Sequence, residues 1–259
     1  RRVVFVPVPD PRQRLVKLEA GAVDVAENLA PQDLQFVPLH PSLSQTRARA
    51  QNVAYLAMNT RHPPFDDVRV RRAVELAIDR EALVKLVYQG LGEVAQSPLP
   101  PSMWGHFAVP LPKPDLGRAR QLLAEAGVHT ASAGGRRVRL HVPATPRPYL
   151  PAPMRVARMI EQRLFEIGFS VEILTHPMDE QLALTQRGEH DLCLLGWNAD
   201  NGDPDNVLYT LLHGSNTQPG VARNLSFIQD PALDALLDRA QREGRQEERE
   251  ALYAEVQRR

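Results

Sequence analysis

"RVRLHV" at residues 137–142 alternates Val138, Leu140 and Val142 with polar residues, as a half-buried strand does. "PMRVARMIEQRLFEIG" at 153–168 then repeats Met154, Ala157, Ile160, Leu164 and Ile167 at helical spacing and stops at Gly168. "SVEIL" (170–174) reads as a strand, "DEQLALTQRG" (179–188) as a helix and "DLCLLGW" (191–197) as an apolar strand. That order, βαβαβ, implies an α/β fold with a mainly parallel sheet and right-handed crossovers.

Upstream, the same alternation continues. "RRVVFVPV" at the start has strand character, "PRQRLVKLEAG" reads as a short helix, "AVDVAENL" as strand or turn, and "NVAYLAMNT" as a further strand. "DDVRVRRAVELAIDREALVKLVYQG" predicts two consecutive helices. Asp66 or Asp67 caps the first, Val70, Ala73, Val74, Ala77 and Ile78 form its apolar face, Asp79 caps the second and Gly90 closes it. The proline-rich stretch 96–115 cannot be regular helix or central strand and reads as a rigid surface loop, after which Asp115 caps "LGRARQLLAEAG".

Composition narrows the function. Of 259 residues, 43% are hydrophobic, and Lys plus Arg equals Asp plus Glu at 31 each, so no net field recruits nucleic acid or an anionic membrane. No apolar run is long enough to span a bilayer, and the first residues lack a leader's apolar region and cleavage pattern, which points to a cytosolic protein or one whose leader has been removed. The single Cys193 excludes an internal disulfide and suggests no zinc site.

In parallel sheets ligands bind beyond the carboxyl ends of the strands. Two loops qualify: "PATPRPYLP" (143–151), after the strand ending at Val142, and "WNADNGDPDN" (197–206), after the strand ending near Gly196. The second holds Asp200, Asp203 and Asp205 beside Trp197. Three readings compete. A calcium loop of the EF-hand kind fails, because counting from Asp200 puts Gly202 at the third position and Leu211 at the twelfth, where oxygen ligands are required. A catalytic carboxylate pair lacks a histidine or nucleophile at a telling spacing. A counter-charge fits better: a loop carboxylate meets an ammonium, while Arg147 offers a planar fork for a carboxylate, and together they would clamp a zwitterion. Set against this, Asp203 before Pro204 suits an ordinary turn cap, and most loop arginines are simply solvated.

"YLAMNTRHPPFDDVRVRRAVELAIDREALVKLVYQGLGEVAQSPLPPSMWG" resembles the signature of the family 5 solute-binding proteins, which deliver peptides, nickel and related solutes to ABC importers. The Asn-Thr strand end, the Pro-Phe-Asp-Asp helix start and the Pro-Pro-x-x-Trp loop occur in order. "RPY" and "GEHDLCLLGWNADNGDPDN" are most similar to the periplasmic dipeptide-binding members. The resemblance implies a lobe of the periplasmic-binding-protein type (type II, cluster C). It implies that Arg147 takes a peptide's C-terminal carboxylate and Asp200 its N-terminal ammonium. Trp197 would stack on the ligand, wall the pocket or anchor the strand end, with Tyr149 and Asn198 nearby. No catalysis, cofactor or metal is expected. The expected partners are a dipeptide or short peptide and the membrane permease subunits of the importer, in the periplasm.

Family members of this kind are about twice as long and fold as two lobes. Residues 1–52 are therefore expected to be a remnant of lobe one and 53–259 most of lobe two, incomplete at both ends. The alternative reading is a ligand-sensing domain of a regulator or chemoreceptor system with the same fold. Other features carry less. His190 and Cys193 read as buried and not as metal ligands, His213-Gly214-Ser215 lacks the strand-turn-helix elbow of a hydrolase, Asp230-Pro231 reads as a helix start, and the charge runs of 231–256 read as solvated helix faces.

Overall fold

The computed structural model describes residues 2–128 and 135–259. Helices α1 (Pro11–Glu19) and α2 (Pro31–Leu34) precede strand β1 (Asn52–Met58). Helices α3 (Val68–Ala77), α4 (Arg80–Tyr88) and α5 (Leu116–Glu125) follow. The unit β2 (Arg136–Pro143), α6 (Pro153–Glu166), β3 (Phe169–His176), α7 (Met178–Arg187) and β4 (Leu192–Asn198) is the βαβαβ motif, and α8 (Asp205–Leu212), α9 (Pro231–Arg242) and α10 (Gln246–Arg258) come after it.

Among the described residues one sheet forms, in the order β1-β4-β2-β3. β2 runs parallel to both β3 and β4, and β1 is antiparallel to β4. The period-2 pattern sorts the two faces. Val138, Leu140, Val142, Leu192 and Leu194 join Ile160 and Leu164 of α6 and Val70 and Val74 of α3 in the main core. On the opposite face Cys193, Leu195 and Ala57 pack with Leu182 of α7. β4 is thus apolar on both faces and hydrogen-bonded along both edges, as a central strand must be. Its register with β2 covers only Leu140↔Leu192 and His141↔Cys193. Beyond that, the fully buried Gln181 donates through Nε2 to the carbonyls of Leu194 (2.8 Å) and His141 (3.4 Å), bridging the strands where their own pairing stops.

Local signals read from the sequence appear as expected. Asp67, Asp79, Asp115 and Asp230 each accept a backbone N–H at a helix start. Helix α4 ends one residue early, with Gln89 itself in the left-handed conformation ahead of Gly90. The Asn-Thr end of β1 has a structural role: Asn59 is fully buried and donates to the carbonyls of Gly188 and His190, both at 3.0 Å.

The strand expected at the start does not form. Residues 2–9 have no regular secondary structure, with Val3 at 79% and Phe5 at 90% exposure, and no described segment pairs with them as a strand. β-branched residues favour extended backbone; a strand also needs a neighbour's hydrogen bonds. Among the described residues the hydrogen bonds of 2–49 stay within that segment, and the first to the body of the fold are Ser102 Oγ to the Ala50 carbonyl and Ala199 N to the Gln51 carbonyl.

Two histidines are buried around β4. His190 donates from Nε2 to the Leu225 carbonyl, and His141 meets His176 across the sheet at 3.1 Å. Desolvation pushes His190 down to about 4, and desolvation together with the neighbouring His176 does the same to His141. The unfolded chain, with its histidines near 6.5, takes up these protons first. Stability is therefore full above about 6.5 and falls as pH drops toward 4. Melting curves between pH 7.5 and 4.5 should show the fall, and His190→Gln, which keeps a donor for Leu225, should flatten it; an unchanged pH slope in that variant would remove His190 as the cause.

Candidate functional site

β4 delivers Gly196, Trp197 and Asn198 to its carboxyl end, beyond the last residue of β2. Only a glycine fits at 196. A Cβ there would collide with the ring of Tyr149 and stand 2.5 Å from the Val53 carbonyl oxygen. Tyr149 therefore lies directly on β4, buried to 7% exposure, and this contact docks the 143–151 loop against the strand that carries Trp197. Two further ties hold that loop. Arg147 and Leu150 exchange backbone hydrogen bonds at 3.0 and 2.9 Å, and the Tyr88 hydroxyl donates to the Tyr149 carbonyl at 2.8 Å.

Arg147 is half-buried, and its Nε is shielded from solvent without a hydrogen-bond partner among the described residues. A buried N–H left unmade costs about 1 to 3 kcal/mol, so an acceptor arriving there is favoured. Tyr149 is wall more than contact surface, Asn198 is exposed and faces Asn52 across the β1–β4 register, and Trp197 is half-buried.

The three loop aspartates divide by partner. Asp203 receives both arms of the Arg249 guanidinium at 2.9 and 2.8 Å and also accepts the Asp205 N–H at 2.9 Å. Burial works against its charge, but the Arg249 fork and that N–H outweigh it and hold its pKa below the usual carboxylate range. Asp205, in the first turn of α8, accepts from Gln241 at 3.1 Å, and burial raises its pKa. Asp200 is exposed, and among the described residues its carboxylate meets only the neutral Asn206 Nδ2, at 3.3 Å. Of the three, Asp200 alone is left as a charge without a cation or a buried helix position. Arg147 and Asp200 form no ion pair with each other among the described residues. A polar depression of about 530 Å³ beside the loop is lined by Asn201, Asp203, Asn206, Gln241 and Arg249, and none of the five candidate residues lines it.

Comparison with known proteins gives this arrangement its context. The family model described as bacterial extracellular solute-binding proteins, family 5 middle, matches residues 1–219. The chain belongs to that family. It is 35% identical over 98% of its length to the di/tripeptide-binding protein 1 of Pseudomonas aeruginosa, covering 46% of that protein. It is 36% identical over 99% of its length to heme-binding protein A of Haemophilus influenzae, again covering 46%. In structure it matches the periplasmic binding protein DppA of Helicobacter pylori in complex with the peptide STSA, with a TM-score of 0.87 and 28% identity over 96% of this chain and 47% of that one. It likewise matches the dipeptide-binding protein of Pseudoalteromonas sp. SM9913 in complex with Met-Leu, with a TM-score of 0.86 and 29% identity over 97% of this chain and 48% of that one. The chain spans about half the length of the curated relatives it matches.

Within this family 5 fold, sequence reading missed three supports of the site. Gly196 and Tyr88 carry no local sequence signal of their contacts with Tyr149. Arg249 sat in a run taken for a solvated face, yet it stacks on Trp104 and Tyr253 (centroids 5.0 and 5.4 Å) while gripping Asp203. His213 has a turn-capping role: its Nδ1 accepts the Ser215 N–H at 3.0 Å. Gly196→Ala should displace Tyr149 and destabilise the chain by about 1 to 3 kcal/mol, the usual range for overpacking. Denaturant unfolding with near-ultraviolet circular dichroism checks it; a silent substitution would mean the ring does not lie where the structure puts it.

Proposed function

We propose that this chain carries the terminus-binding groups of a periplasmic binding protein that captures dipeptides or short peptides for an ABC importer, and performs no chemistry on them. The observation that carries the reading is the pair of uncommitted charges. Arg147 has a buried Nε awaiting an acceptor, and among the described residues Asp200 has no cation partner although its neighbour Asp203 does. Arg147 takes the peptide carboxylate through its planar fork, Asp200 takes the ammonium, and Trp197, Tyr149 and Asn198 shape the space around them. Peptide-bound structures among the relatives support this assignment. The chemistry also selects against a ligand with carboxylates and no amine, because that ligand would satisfy Arg147 while its second negative charge met Asp200.

Residues 53–259 then form most of one lobe and 1–52 belong to the other, a division supported by the self-contained hydrogen bonding of residues 2–49. The permease subunits of the importer are the expected protein partners.

Blocked peptides test the reading in the full chain. Asp200→Asn should weaken an unblocked dipeptide by about 1.5 to 3 kcal/mol, the value of a charge-assisted hydrogen bond, and barely affect its N-acetylated form. Arg147→Ala should show the matching pattern for free against amidated carboxyl ends. Calorimetry reads both; equal losses for blocked and unblocked ligands would show that neither residue holds a terminus.

A further inference from the structure

We propose that Asn206 is the residue that positions Asp200 and Trp197 for ligand, and that it does so because it can hold an anion without neutralising it. The inference rests on the terminus-binding reading above. Asn206 Oδ1 accepts the Trp197 indole N–H at 3.0 Å and the Asp200 backbone N–H at 3.0 Å, while its Nδ2 donates to Asp200 Oδ2 at 3.3 Å. One amide thus fixes the ring, the loop backbone and the carboxylate together.

The amide is itself anchored. Asn206 occupies the first turn of α8, whose Val207, Leu208 and Leu211 are buried in the second core with Leu99, Leu237 and Tyr253. Asp203, gripped by Arg249 and bonded to the Asp205 N–H, pins the chain just before that turn. Ahead of Asp203, Asn198, Asp200, Asn201 and Gly202 are exposed, and among the described residues the other bonds that shape this stretch are Ala199 N to the Gln51 carbonyl at 2.9 Å, before Asp200, and Asp203 N to Asn201 Oδ1 at 2.9 Å, after it. Without Asn206, the carboxylate would ride on a loop free to sample many conformations, and each binding event would have to order it. Asn206 also suits this task by chemistry. Its side chain offers both a donor and an acceptor with no net charge, so Asp200 keeps its full negative charge for an ammonium, whereas a lysine or arginine there would compete with the ligand.

Two substitutions separate positioning from folding. Asn206→Leu matches the side chain in size and removes all three bonds. Asn206→Asp keeps the acceptor for Trp197 and for the Asp200 N–H. In the full chain, Asn206→Leu should weaken Ala-Leu on the order of tenfold by calorimetry, change N-acetyl-Ala-Leu less than twofold, and shift the emission of Trp197, read in a Trp104→Phe background. Asn206→Asp should leave that emission near the wild-type position. If Asn206→Leu weakens both peptides alike, its role is structural only and the inference fails. If Asp200→Asn discriminates between the peptides and Asn206→Leu does not, the inference fails while the terminus reading stands. If Asp200→Asn does not discriminate, both fall.

Discussion

The 143–151 loop is held to the sheet by one close approach, the ring of Tyr149 lying on the backbone of Gly196. β4 is the sheet's central strand, apolar on both faces and paired with β1 and β2. It cannot move without disrupting two cores. By seating Tyr149 on its last buried residue, the fold transfers that rigidity to a loop that is otherwise proline-rich and irregular. The approach is possible because residue 196 has no side chain, and because β2 ends at Pro143 while β4 continues to Asn198. A longer β2 would occupy the space that the loop now fills. The difference in strand length is what makes a shelf at the carboxyl edge of the sheet, and both candidate loops leave from it.

The second constraint is electrostatic. Three aspartates within six positions repel one another unless each has its own arrangement. Asp203 is neutralised by a bidentate arginine that itself lies over the rings of both Trp104 and Tyr253. Asp205, in the first turn of α8, is partly buried and accepts from the neutral Gln241, and burial raises its pKa. These two arrangements are structural, and Asp200 is the one of the three whose side chain is left exposed. The Pro-Pro-x-x-Trp loop, part of the family resemblance in the sequence, thus reaches the 197–206 loop indirectly, with Trp104 supporting the arginine that holds Asp203.

How much of this was legible in the sequence follows from the range of the forces involved. Helix starts at Asp67, Asp79, Asp115 and Asp230 are set within three residues, so the local pattern reveals them. The alternation in 137–197 fixes sheet faces and parallel direction for the same reason. Position was legible too: the loops expected after the parallel strands at 142 and 196 do leave the ends of β2 and β4. What escaped were pairings between distant segments. Nothing near Arg249 indicates that it reaches 46 positions back to Asp203, and nothing near Gly196 indicates a tyrosine 47 positions earlier. The opening segment shows the converse failure. Val3, Val4 and Phe5 carry strong local preference for strand, but strand formation is decided by a partner, and no described segment supplies one.

The loop from 197 to 206 therefore contains two ways of holding a carboxylate, and they lead to different uses. An arginine holds Asp203 strongly because opposite charges and two hydrogen bonds act together, but the pair is closed to any further cation. An amide holds Asp200 through dipoles, which constrain its geometry while leaving the monopole intact. A site for a cationic ligand needs the second kind of support, since its free energy of binding comes from the charge that the protein has left unpaired. The cost is a local one: an exposed anion with few ties lowers the stability of its loop. α8 offsets it by burying Val207 and Leu208 immediately after Asn206, so that the residue touching Asp200 is fixed by the core and not by the loop.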